Sequence, residues 1–189
     1  MKKVKYSLLL SVLCIFVSVC SYAGTFPVSL LDMELQFAVR SRNDKEVLLL
    51  LQQGANPNAL YGRMPIACWA AFDASILKVF LQYGVSPDCI CFDMSMLHMV
   101  SSDSASILLQ FGADPNNKDG DGITPLMSAV LSLGSISDYN NEQLQVIKIL
   151  LQNGANPYLK NKEGETALDI AIRRNKSKAV EILQKYMNK

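Results

Sequence analysis

The side chains able to do chemistry are few, and most of them crowd the middle of the chain. Cys68, Cys89 and Cys91 offer three thiols, and His98 is the sole histidine. A thiolate beside a base is the kernel of a nucleophilic site. The same thiols have a second use. In an oxidising compartment Cys68 could bridge to Cys89 or to Cys91, whereas a Cys89–Cys91 bridge would be strained. Zinc is not expected, because Cys-x-Cys and one histidine do not supply four ligands in a recurring spacing. Asp119 and Asp121 form a carboxylate pair, but they flank Gly120 in a stretch that reads as a turn, which makes them turn formers and contact residues. Gly120-Asp121-Gly122 lacks the further acids and terminal Glu of a calcium loop. The chain has no Gly-x-Ser-x-Gly, phosphate-binding loop or dinucleotide fingerprint. The expectation is a protein that is not an enzyme, with no catalytic residue, no metal and no cofactor. A Cys-dependent enzyme is the remote alternative.

The elements that would hold these residues announce themselves by repetition. Leu50-Leu51-Gln52-Gln53-Gly54-Ala55-Asn56-Pro57 returns as Leu81-Gln82-Tyr83-Gly84-Val85-Ser86-Pro87, as Leu108-Leu109-Gln110-Phe111-Gly112-Ala113-Asp114-Pro115 and as Leu150-Leu151-Gln152-Asn153-Gly154-Ala155-Asn156-Pro157. Each copy is an apolar helix end, a glycine fit for the left-handed closing position, and a proline that stops the helix. After each copy comes a helix start: Met64-Pro65-Ile66, Ser95-Met96-Leu97-His98, Thr124-Pro125-Leu126 and Thr166-Ala167-Leu168. Thr or Ser there suits an N-cap, and Pro suits the first helical position. Ala179, Ile182, Leu183 and Tyr186 make one helical stripe, and Leu144, Ile147 and Leu151 another.

These motifs resemble ankyrin repeats, with Thr124-Pro125-Leu126 and Glu163-Gly164-Glu165-Thr166-Ala167-Leu168 as the best matches. The resemblance implies an all-α fold, an ankyrin-repeat solenoid of about five stacked helix–turn–helix units with short inter-unit hairpin loops. The units expected are residues 33–58, 59–88, 89–116, 117–158 and 159–189, after a lead-in over 24–32. It also implies that His98 is a structural residue at a repeat junction. Spacing departs from the regular period of about 33 residues. Gly54 to Gly84 is 30 positions, Gly84 to Gly112 is 28 and Gly112 to Gly154 is 42. The second and third units are therefore trimmed; we expect shortened fingers there, and in the third a curtailed helix pair with Ser101-Ser102-Asp103-Ser104 as its turn. The fourth carries an insertion, expected as a loop around Asp138, Tyr139 and Asn140.

The N-terminus reads as a targeting segment. Lys2, Lys3 and Lys5 precede an apolar run from Ser7 to Val19, and Ser21-Tyr22-Ala23 supplies small residues before Gly24. Residues 1–23 are expected to be a Sec-type signal peptide cleaved after Ala23, with a periplasmic or secreted product. The run is too short to span comfortably, so no membrane span is expected after cleavage. Lipid attachment at Cys20 is the lesser alternative. Formal net charge is +1, and no basic stripe alternates with aromatics, which argues against nucleic acid.

A repeat stack offers a long surface and no enclosed pocket, so the expected partner is another protein and not a small-molecule substrate. By resemblance, contacts fall on finger tips and on the concave ends of the first helices. The candidates are Tyr61, Arg63, Phe72, Phe92, Asp93, Asp119, Asp121, Ile123, Lys162, Glu163, Glu165, Arg173 and Arg174. Tyr61, Phe92 and Arg173 lead, because aromatics and Arg dominate hot spots. Trp69 is expected to fill space left by its shortened unit. The roles implied are an inhibitor or immunity protein, a helper of an envelope enzyme, or a secreted effector acting on host proteins.

Overall fold

A computed structural model describes residues 29–134 and 137–188. The signal peptide expected over 1–23, including Cys20, lies outside the described residues. Chain order is α1 (Leu30–Arg40), α2 (Asp44–Gln52), β1 (Leu60–Tyr61), β2 (Met64–Pro65), α3 (Ala67–Ala70), α4 (Ala74–Gln82), β3 (Ile90–Cys91) and β4 (Met94–Ser95). A 3-10 turn (Met96–His98) follows, then α5 (Ser102–Gln110), α6 (Pro125–Leu131), α7 (Ser137–Gln152), α8 (Ala167–Arg173) and α9 (Ser177–Met187). The architecture is mostly helical, with two small antiparallel hairpins added.

The recurring glycine phrase closes four helices in one geometry. The Gly54 N–H donates to Leu51 O while the Ala55 N–H donates to Leu50 O. The same pair of bonds recurs at Gly84–Val85, Gly112–Ala113 and Gly154–Ala155. This is the Schellman closure, and it needs a left-handed residue at the glycine; all four have φ between 87° and 98°. The residue after each glycine (Ala55, Val85, Ala113, Ala155) is buried, so the chain leaves the helix back into the core. Thr124 and Thr166 cap their helices as the sequence implies, whereas Ser95 makes no side-chain cap and Pro65 lies in β2 and not at a first helical position. Asp73 Oδ1 accepts from Ser75 and Ile76 N–H, and Thr124 Oγ1 accepts from Met127 N–H. Thr166 and Asp169 cap each other reciprocally.

First helices pack in one row and second helices in another. In one row α1 meets α3, the 3-10 turn meets α6, and α6 meets α8; in the other, α2 meets α4, then α5, α7 and α9 follow. Burial lies between the rows, with Leu35, Ile66, Met96, Leu97 and Leu126 from the first and Phe80, Leu108, Ile147 and Leu150 from the second. Each such side chain contributes about 1.5–3 kcal/mol of apolar burial. One pair could not hide its apolar side alone; the stack can. A ladder of side chains joins neighbours. The N–H of Asn56 donates to Asp32 Oδ1, that of Asp114 to Asp88 Oδ1, and that of Asn156 to Asn116 Oδ1.

Several expectations need correction. Trimming falls on the first helices and not on the fingers: α3 has four residues and the third unit, curtailed as expected, only a three-residue 3-10 turn, against seven in α6 and α8, while Ser102, Asp103 and Ser104 open α5 instead of forming the turn. From proline to helix start, Pro57 to Ile66 and Pro87 to Ser95 match Pro115 to Thr124 and Pro157 to Thr166 to within one residue. From Ser137 onward the insertion is helix and not loop. Ser137, Asp138, Tyr139 and Asn140 open α7, lengthening it to 16 residues; the side chains of Asp138, Tyr139 and Asn140 lie outside what the structure describes. Glu142 explains one benefit, since its Oε1 accepts the Ser102 N–H and caps α5. The first helix begins at Leu30, ahead of the expected boundary at 33.

Candidate protein-binding face

The second and third fingers are two-residue β-hairpins packed side by side. In the first hairpin Leu60 pairs with Pro65 and Tyr61 with Met64, and Gly62 turns the chain at φ 63°. Glycine at the first central position is what a type II′ loop requires. The second hairpin pairs Ile90 with Ser95 and Cys91 with Met94. Its two central residues, Phe92 and Asp93, both take positive φ, 53° and 67°. That is the type I′ pattern without its usual Asn-Gly, and it costs about 1–2 kcal/mol per residue. Outward-facing side chains here are apolar. Leu60, Tyr61, Ile90 and Phe92 are all more than half exposed, with Phe92 at 68%. Tyr61 and Phe92 therefore face solvent and do not pack inward; Arg63 and Asp93 are exposed beside them.

Beneath this hairpin a disulfide joins Cys68 of α3 to Cys91 of β3. Cys89 remains a free, half-buried thiol. Sequence left both partners for Cys68 open; Cys91 holds the bridge and is fully buried. Burial pushes the Cys89 thiol above its ordinary value. His98 is spent on structure. Its Nε2 donates to Ile123 O at 3.0 Å, which leaves Nδ1 to accept from Ser95 Oγ at 2.9 Å. The ring ties the third unit to the fourth finger.

The fourth and fifth fingers use a different device. Asp119 Oδ1 accepts from the N–H groups of Asp121 and Ile123, and Asn161 Oδ1 accepts from those of Glu163 and Glu165. The two turns are copies, and the Lys162 N–H donates to Asp121 O between them. At Gly122 the backbones come so close that a Cβ would lie 3.2 Å from Lys162 N. Asp119 is thus a turn former with its carboxylate already engaged. Glu165 and Arg173 are brought together in a two-point ion pair, Nε to Oε1 at 2.7 Å and Nη2 to Oε2 at 2.9 Å. The hydrogen bonds from Arg173 hold the Glu165 carboxyl below its ordinary value and raise Arg173 in return. Asp121, Ile123, Lys162, Glu163, Glu165, Arg173 and Arg174 line one groove of about 330 Å³ between these fingers and the first-helix row.

A second hollow of about 220 Å³ lies at the N-terminal end of that row, between Val39, Arg40, Arg42, Trp69, Phe72 and Asp73. Phe72 is half exposed, as its candidate role requires. Trp69 is not the buried filler expected: it sits at 36% exposure with the Arg40 guanidinium 5.5 Å above its ring. Such a contact contributes about 0.5–1 kcal/mol at an exposed site. Sequence reading missed Phe37, which is 72% exposed on α1. Its signal was present, because Leu35, Ala38 and Val39 form the buried stripe and Phe37 falls off it. Ile90 was missed for the same kind of reason: it alternates outward between two inward cysteines.

The stack and its fingers define a repeat architecture built around a surface. Residues 100–189 match the family model for Ankyrin repeats (3 copies). The match begins just after the shortened 3-10 turn, ahead of α5. The chain is also 32% identical over 152 residues to a mitochondrial disaggregase of Bos taurus, an alignment that covers 74% of this chain and 21% of that protein. The chain therefore spans about a fifth of that relative's length. Among the described residues no helix is long and apolar enough to cross a membrane.

Proposed function

We propose that this chain is a protein-docking module that grips a partner along its hairpin fingers and first-helix row, without turnover. One observation carries the reading: Leu60, Tyr61, Ile90 and Phe92 stand exposed on two adjacent hairpins. Large apolar side chains at rigid loop tips are what an interface core uses, and a cluster of them in water is otherwise unfavourable. The match to ankyrin repeats supports the same class of function. The leader supports export, so the partner is read as a protein of the bacterial envelope, with the chain as its inhibitor, immunity protein or helper. Release beyond the cell, to act on host proteins, is the alternative that the same leader permits.

The test is affinity capture from periplasmic extract with the full chain expressed in its own host, beside a Tyr61→Ala/Phe92→Ala variant. Wild type should retain a partner that the variant loses by tenfold or more, with unchanged helicity. Equal retention would sink the choice of surface. Export is tested separately by fractionation and N-terminal sequencing: a product starting at Gly24 outside the cytoplasm supports it, and an intact cytoplasmic chain refutes it.

A further inference from the structure

Cys89 has a neighbour relation that the docking function does not use. In a strand, residues two apart point to one side. Cys89 immediately precedes β3, and its O accepts from the Met96 N–H, which continues the extended pairing by one residue. Cys89 is half-buried and Cys91 buried while Ile90 is exposed, and the sulfurs of Cys68, Cys89 and Cys91 all lie within 4.8 Å of one another. A free thiol this close to a disulfide is placed for exchange with it. We propose that Cys68, Cys89 and Cys91 form a thiol–disulfide exchange site in which Cys89 displaces Cys91 from Cys68, giving the second hairpin two interchangeable bridges.

The step balances without any outside oxidant. The Cys89 thiol loses its proton and its sulfur attacks Cys68 Sγ. A Cys68–Cys89 bond forms as Cys68–Cys91 breaks, and the electron pair leaves on Cys91 Sγ, which takes up a proton. Attack on Cys91 instead would make a strained Cys89–Cys91 loop, so Cys68 is the productive target. The reacting species is the thiolate. Burial keeps the Cys89 thiol above its ordinary value, so exchange is slow at neutral pH. It should accelerate about tenfold per pH unit while the thiol stays mostly protonated. Cys68 and Cys91 are buried and Cys89 is half-buried, so an external thiol reagent reaches the site through Cys89.

The two bridges are not equivalent for the finger. Cys91 directly precedes the Phe92–Asp93 turn, whose residues both hold positive φ. A bridge at Cys91 clamps that turn; a bridge at Cys89 leaves it two residues farther from its anchor. This consequence rests on the docking reading above, whereas the exchange itself does not.

Two measurements decide it. Oxidised wild-type chain is held at pH 9, quenched with acid, unfolded, labelled with N-ethylmaleimide at pH 5.5 and fragmented by mass spectrometry. Label on Cys91 in at least one chain per hundred, reached several-fold more slowly at pH 8, is the expected result. Label on Cys89 alone overturns the proposal. In a glutathione redox buffer, Cys91→Ser should form its Cys68–Cys89 bridge with an equilibrium constant within a hundredfold of that for Cys68–Cys91 in Cys89→Ser. A Cys91→Ser chain that folds and stays reduced where Cys89→Ser is fully oxidised also overturns it. Where Cys91→Ser does not fold, the wild-type labelling decides alone. Neither assay involves a partner, so failure here is distinct from failure of the docking reading.

Discussion

The second and third fingers and the fourth and fifth solve one problem in two ways. Each must carry the chain from a helix-closing proline to the next helix start in eight or nine residues. The fourth and fifth do it with an Asx turn: Asp119 and Asn161 each satisfy two backbone N–H groups, and a glycine takes the positive φ. Their outer side chains are charged, and two of these, Glu165 and Arg173, satisfy each other. The second and third have no such side chain. They close as β-hairpins, expose apolar tips, and in one case place Phe92 and Asp93 where glycine belongs. The cystine beneath supplies the constraint that the turn sequence does not. A self-satisfied turn is a scaffold; a strained and apolar one, held from outside, is the better candidate for function.

Removing the bridge should break that comparison most severely. Cys68 and Cys91 are 23 positions apart, and closing a loop of that size is worth about 3 kcal/mol. Cys68→Ala/Cys91→Ala should therefore unfold at lower urea by about that amount. A loss under ~1 kcal/mol would mean that the hairpins stand without their clamp. The turn backbones give a smaller and signed contrast. Gly122→Ala should cost about 2 kcal/mol, because φ is 76° and the new Cβ meets Lys162 N and Asn161 Cα. At Gly62 a Cβ meets open space, so Gly62→Ala should cost about 1 kcal/mol for φ alone. Phe92→Gly should stabilise by about 0.5 kcal/mol, the relief of positive φ less the added freedom of the unfolded chain, while weakening partner capture. Thermal or urea melts of the three variants order them; Gly62→Ala costing more than Gly122→Ala would invert the account.

Much of this was legible where one residue type has one physical use. Glycine after an apolar run and proline after that located four helix ends, and all four closed as a glycine allows. His98 was read as structural from its place in the helix-start motif, and both ring nitrogens are engaged. What failed were inferences from distance along the chain. A short glycine-to-glycine spacing shows that residues are missing, not from which element; α3 and the 3-10 turn had lost them. The Ser/Asn/Asp-rich insertion looked like a loop by propensity, yet it extends α7, because contact with α5 and the Glu142 cap outweigh weak local preferences. Cysteines two apart in an extended segment can both reach one partner, so spacing could not choose between them. Phe37 was legible from the helical stripe it falls off, whereas the exposure of Trp69 needed the packing of neighbouring helices to be seen.

Acid offers the gentlest probe, because only one of the two regions depends on carboxylates shifted from their ordinary behaviour. Glu165 is held low by its hydrogen bonds from Arg173, and Asp169 by the backbone and side-chain hydrogen bonds of Thr166. A carboxyl whose folded value is depressed contributes stability that is fully present above its unfolded value and lost as pH falls through the folded one. The window therefore opens as pH drops below about 4 and extends downward. Within it α8 loses its reciprocal N-cap and the fifth finger loses its ion pair, while the β1–β2 and β3–β4 hairpins rest on backbone bonds and a cystine that do not titrate there. Amide exchange between pH 5 and pH 3, corrected for intrinsic rates, should lose several-fold more protection at Ile170 and Arg174 than at Ile66 and Met96. Glu165→Gln and Asp169→Asn should each flatten the pH response of the C-terminal finger, because the titrating group is gone. If protection falls equally in both regions, or if those two variants respond to acid as wild type does, the fifth finger and α8 are not held by the charges assigned to them.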